Sequence, residues 1–185
     1  MTAPERQTRI EIDRLLAAAG WLVQDVAHAN LHAGRGVAIR EFPLAAGFGF
    51  ADYLLYVDGK ACGVIEAKNQ GSTLSGVEAQ SGRYASGLPT SLPAWRRPLP
   101  FLFESTGVES RFTNRLDPAP RARNVFAFHR PEMLAEWLKA LPATTVLTTD
   151  GAADVSPYNN YKFGEEYIVQ HLQSNNLDTT ARVTI

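Results

Sequence analysis

Three side chains, Asp52, Glu66 and Lys68, have the types and spacing of a hydrolytic centre. Glu66-Ala67-Lys68 closes an apolar run, Val64-Ile65, and Asp52 lies fourteen residues upstream of Glu66. Side chains alternate along a strand, so Glu66 and Lys68 share a face. Two carboxylates, the carbonyl of Ala67 and several waters make a hard oxygen set suited to octahedral Mg²⁺. Such an ion activates water and neutralises phosphate charge, and Lys68 beside it stabilises a charged transition state. On spacing alone, a solvated Glu–Lys pair on a surface hairpin competes with this reading.

Whether Asp52 joins Glu66 depends on the turn between them. ADYLLYVDGKACGVIEAK reads as two β-segments around Asp58-Gly59, a hairpin signal. A two-residue turn pairs position 57 with 60 and puts Asp52 opposite Ile65, on the wrong face. A three-residue loop, Val57-Asp58-Gly59, places Asp52 opposite Val64, diagonal to Glu66 and on one face with Lys68. Diagonal neighbours lie roughly 7–8 Å apart, within reach of one metal ion. The three-residue loop is the expectation.

The elements around this hairpin follow from periodicity. Thr8, Ile12, Leu15, Leu16 and Ala19 give a helix from Pro4 to Ala19 one inward stripe, on which Glu5 also falls, and Gly20 ends it. Glu11 lies on the flank, within reach of Arg14. Residues 30–49 carry mixed signals, with VAIREFPL a candidate strand. A helix spans Leu74 to Leu88 with Gln80 and Tyr84 on one face, an i,i+4 pair that also suits plain packing. PFLFEST and NVFAF read as strands, and Pro131 to Leu141 as a short apolar-faced helix. The expected fold is α/β, a mixed central sheet flanked by helices. Residues 1–142 form the domain, and 143–185 form a linker or appendage with one short helix.

Composition is that of an ordinary globular chain: 185 residues, 45% hydrophobic and 20% charged. One cysteine, Cys62, excludes an intramolecular disulfide framework and suits a small core residue in a reducing, cytoplasmic setting. No apolar run is long enough for a membrane helix. The net charge of −1 leans against nucleic acid, which more often meets a basic surplus. Against that lean stand Arg96, Arg97, Arg111, Arg115, Arg121, Arg123 and Arg130, either a phosphate-binding surface or scattered solvated arginines. His28 and His32 lack a third zinc ligand nearby, and Gly59-Lys60-Ala61 is no P-loop.

Asp52…Glu66-Ala67-Lys68 resembles the PD-(D/E)XK nuclease motif, with Ala51 in place of its proline. With Gln80 and Tyr84 at Q-x-x-x-Y spacing, it resembles the N-terminal nuclease domain of the type I restriction enzyme R subunit (HsdR). Glu5-x-x-Thr8-Arg9, Ala19-Gly20-Trp21, Pro100-Phe101, Glu104-Ser105-Thr106-Gly107, Phe112-Thr113-Asn114 and the run from Arg123 to Pro131 resemble further segments of that family, in order. The resemblance covers residues 1–141. It implies a restriction-endonuclease-like fold and Mg²⁺-dependent cleavage of double-stranded DNA. It further implies Asp52 and Glu66 as metal ligands, Lys68 as catalytic lysine, Glu5 as the helical acid, and Gln80 and Tyr84 holding DNA or ordering the site. Methylation and specificity subunits would be partners, and ATP would enter only through motor domains outside this sequence. Its length suits the nuclease module plus a tail. Two other readings stay open: a stand-alone repair or structure-specific nuclease, and an inactive remnant that docks DNA or a partner.

Overall fold

The computed structural model describes residues 3–74 and 78–140; all but the last two of these belong to the first of two units, residues 1–138. The expected appendage at 143–185 lies outside the described residues. Seven strands form one mixed sheet in chain order: β1 (Leu22–Asp25), β2 (Gly36–Pro43), β3 (Phe50–Val57), β4 (Lys60–Ala67), β5 (Phe101–Ser105), β6 (Ser110–Asn114) and β7 (Arg123–Val125). The pairs β1/β2 and β4/β5 are parallel, and the other neighbours are antiparallel. Among the described residues three α-helices complete it: α1 (Ala3–Ala18), α2 (Glu78–Ser86) and α3 (Pro131–Lys139).

The core has two sides because the central strands bury both faces, which is why their sequences are apolar at nearly every position. Tyr53, Leu55, Val57, Ile65, Phe101 and Phe103 pack with Ile12 and Leu16 of α1 and with Leu134 and Leu138 of α3. On the opposite face Leu54, Tyr56, Val64 and Leu102 pack with Ala85 of α2 and Leu88 just beyond it. α2 is the crossover that the parallel pair β4/β5 requires. It is short and contains Gly82, so packing rather than propensity holds it.

The hairpin of β3 and β4 departs from the expected loop in an informative way. Val57 pairs with Lys60, so the turn is the two-residue Asp58-Gly59, with φ of 49° and 75°. Positive φ at both positions is the type I′ geometry whose twist matches a hairpin. Two residues on, the register slips. Tyr56 pairs with Ala61 but Leu55 pairs with Gly63, leaving Cys62 as an extra residue in β4. Like the longer loop, this bulge brings Asp52 to the face of Glu66, but it shifts the register the other way, with the extra residue in β4 and not in the loop. Cys62 is buried, with its thiol against the Leu55 carbonyl, as a small core residue. At Gly63 a Cβ would stand 2.5 Å from the Phe101 carbonyl oxygen, so only glycine lets β4 and β5 approach there.

Other differences lie at element ends. β1 and β6 have little alternation of their own and emerge only as partners in the sheet. NVFAF is strand only to Val125: Phe126 is fully exposed, and Phe128 turns back into the core. Helix α2 is shorter than expected, Glu78–Ser86, and α3 ends at Lys139.

Candidate active site

The register Leu54–Val64 and Tyr53–Ile65, carried one residue further, sets Asp52 directly across from Glu66 at the end of the hairpin away from the turn. Direct opposition replaces the expected diagonal, and both side chains lie on the α2 face with Val64. Oδ2 of Asp52 accepts a 2.9 Å hydrogen bond from the Ala67 backbone N–H, which fixes the carboxylate against β4.

Glu66 is buried, 3% exposed, and is not the solvated surface residue of the competing reading. Its Oε1 accepts from Lys68 Nζ at 2.7 Å, while Oε2 is buried with no hydrogen-bond partner. A buried carboxylate oxygen without a donor is costly and calls for an explanation such as an ion. Burial raises the Glu66 pKa, Asp52 adds to the rise and Lys68 opposes it, leaving it at about 7. An upward shift of this kind is typical of functional carboxylates.

Lys68 is held from the other side by α2. Its Nζ donates to Gln80 Oε1 at 2.9 Å, and Gln80 Nε2 donates to the Tyr84 hydroxyl at 2.9 Å. Gln80 and Tyr84 thus act as a unit one helical turn apart, with Gln80 presenting its oxygen to the ammonium. The next residue, Ser81, donates its hydroxyl to the fully buried Glu104, which pairs with Glu66 across β4 and β5. Glu104 belongs to the same row of the sheet as Asp52 and Glu66. Nothing local in the sequence marks this role for Glu104, because its place beside Glu66 depends on the pairing of residues 38 positions apart.

At the open side of Asp52 stands Arg9 of α1. It donates to Asp52 Oδ1 at 2.9 Å and to Glu41 Oε1 at 2.6 Å. Glu5, expected on the inward stripe, is exposed: burial on α1 starts at Thr8, and the residue of this first helical region that reaches the carboxylates is Arg9. Residues 4–7 are exposed, so the inward stripe of α1 is buried only from its second turn onward. Glu11 pairs with Arg14 as its flank position suggested.

The donors fit a divalent cation. Glu66 Oε2 is an orphaned buried oxygen, Asp52 lies opposite it, and every candidate ligand in the set, with the Ala67 carbonyl, is a hard oxygen. Among the described residues no three His, Cys, Asp or Glu side chains gather as a metal cluster, so such an ion would complete its shell from backbone and water. His28 and His32 are exposed and join no such group. Of the arginines weighed for phosphate, Arg97 is spent on the carbonyls of Leu88, Pro89 and Leu92, and Arg123 pairs with Asp117.

Fold and site together define the class: a mixed α/β domain with two carboxylates and a lysine at the end of its central hairpin. Residues 26–98, which carry Asp52, Glu66, Lys68, Gln80 and Tyr84, match the family model of the type I restriction enzyme EcoKI endonuclease subunit second domain. Among solved structures, the fragment structure of a putative HsdR subunit of a type I restriction enzyme from Vibrio vulnificus YJ016 shares the fold. Its TM-score is 0.53 at 20% identity, covering 75% of this chain and 26% of that one. The chain thus spans about a quarter of the length of that structure. No curated protein matches the sequence. The family match over residues 26–98 and the shared fold agree with the resemblance to an HsdR subunit. Among the described residues no helix is long and apolar enough to cross a membrane.

Proposed function

We propose that this chain is the nuclease module of a type I restriction system, hydrolysing phosphodiester bonds of double-stranded DNA with Mg²⁺ held by Asp52, Glu66 and the Ala67 carbonyl. The observation that carries the reading is Glu66: a buried carboxylate with one oxygen on Lys68 and the other unpartnered, opposite Asp52. When bound, Mg²⁺ supplies Lewis acidity and neutralises phosphate charge. Lys68 supplies a positive charge aimed where the phosphoryl oxygens gain charge, and Glu66 and Gln80 hold its ammonium in place. Gln80 and Tyr84 serve chiefly to order Lys68, one of the two roles expected for them. Glu5 keeps at most an outer role at the exposed start of α1. DNA and the methylation, specificity and motor components of a type I system are the proposed partners, ATP acting only through the motor, and the cytoplasm is the proposed location.

The test is cleavage of supercoiled DNA by the chain assembled with those components, with and without Mg²⁺. Mg²⁺-dependent cleavage that disappears with Asp52→Ala or Lys68→Ala is the expected result. Undiminished cleavage by the Lys68 variant overturns the assignment.

A further inference from the structure

We infer that Arg9 and a divalent cation compete for the same oxygen of Asp52, and that Glu41 is the second seat onto which Arg9 withdraws when the cation binds. The inference rests on the proposed metal site and adds residues of α1 and β2 to it. Asp52 has two carboxylate oxygens, and both are engaged: Oδ2 by the Ala67 N–H and Oδ1 by Arg9 Nη2 at 2.9 Å. The Ala67 bond belongs to the strand framework. Arg9 therefore holds the oxygen that an incoming cation needs.

Arg9 is also placed to leave. Its other terminal nitrogen already rests on Glu41 Oε1 at 2.6 Å, and the Glu41 side chain is 57% exposed whereas that of Asp52 is 23% exposed. Withdrawal onto Glu41 keeps the guanidinium paired, so the exchange does not strand a charge. Glu41 faces Asp52 across β2 and β3, between the pairs Arg40–Tyr53 and Phe42–Ala51. It holds φ of 48°, a left-handed conformation at a non-glycine residue within a strand. Such strain persists only where the surroundings enforce it. Here it accompanies the ion pair with Arg9.

Competition and support give opposite signs. If Arg9 merely positioned Asp52, its loss would weaken cation binding. If it competes, its loss strengthens binding, and loss of Glu41, which drives Arg9 fully onto Asp52, weakens it. The experiment is Mn²⁺ binding to the 185-residue chain, followed by electron paramagnetic resonance, for wild type, Arg9→Met, Glu41→Gln and Asp52→Asn. Tightening of roughly fivefold for Arg9→Met, and a comparable weakening for Glu41→Gln, is the scale of a partly exposed ion pair. Binding seen in Arg9→Met but not in wild type also supports competition. Wild-type binding that is lost in Asp52→Asn but unchanged or weakened in Arg9→Met overturns the inference and leaves the metal site standing. Binding indifferent to Asp52→Asn, or absent from both wild type and Arg9→Met, overturns the metal site and the inference with it. Glu41 is exposed, so Glu41→Gln reads the effect even if Arg9→Met perturbs the fold.

Discussion

Asp52 and Glu66 face each other across β3 and β4 only because Cys62 bulges out of the register between them and the turn. A regular hairpin with the same two-residue turn would oppose Asp52 to Ile65 and send its carboxylate to the other side of the sheet. The acid pair is thus a product of one inserted residue. Deleting Cys62 is expected to remove the bulge, part Asp52 from Glu66 and abolish cation binding, which Mn²⁺ titration would show. Retained binding in a folded deletion variant would contradict the dependence on the bulge.

Lys68, Gln80 and Tyr84 form a graded series. Lys68→Ala removes the cation itself and is expected to cost about 10²–10³-fold in cleavage rate. Gln80→Ala leaves the ammonium held by Glu66 alone and should cost about tenfold, the scale of a supporting contact. Tyr84→Phe removes only the acceptor behind Gln80, so a loss of at most a few-fold is expected. Single-turnover rates in the assembled enzyme give the order, and a Tyr84 effect exceeding that of Lys68 would reverse the argument.

Glu66 is expected to answer to a bound ion. In chelator, Glu66→Gln removes the cost of the buried charge and its pairing with Lys68 together, so a small net change in stability is expected. Adding Mg²⁺ should raise the melting temperature of wild type and not that of the variant. Equal Mg²⁺ responses would remove Glu66 from the ligand set.

Gly63 is expected to tolerate no side chain. Gly63→Ala brings a methyl to 2.5 Å from the Phe101 carbonyl and must push β4 from β5, at about 1–3 kcal/mol. Chemical denaturation measures this directly, and an unchanged midpoint would mean that the strands separate freely.

His129 makes the fold sensitive to acid. It packs against Phe112, Trp137 and Phe103, with ring centroids 4.5, 5.1 and 6.0 Å away, and burial lowers its pKa below the ordinary 6.5. A lowered folded-state pKa means that the unfolded chain takes up the proton first as pH falls. This contribution to stability is complete above 6.5 and is lost as pH drops through the lower folded value. Urea midpoints at about pH 5 and pH 8 should therefore converge in His129→Leu and diverge in wild type. Equal pH responses would assign the acid sensitivity elsewhere.

Local chemistry in the chain specified a good part of this protein. The stripe Thr8–Ile12–Leu16 set α1, the apolar runs set β3, β4 and β5, Asp58-Gly59 marked where the turn falls but not its two-residue length, and Glu66-Ala67-Lys68 placed an acid and a lysine on one face. Each of these depends on neighbours within a few residues, where periodicity and turn chemistry act. Tertiary pairing decided the rest. The bulge at Cys62 lies within a run that is apolar on both faces, so alternation carries no mark of it. Glu104 reaches Glu66, and Arg9 reaches Asp52, only through a strand pairing and a helix docking that join distant segments. For the same reason the stripe gave no sign that Arg9 would meet Asp52. Helical periodicity gives direction around the axis but not where along it the sheet begins, and the sheet meets α1 at its second turn.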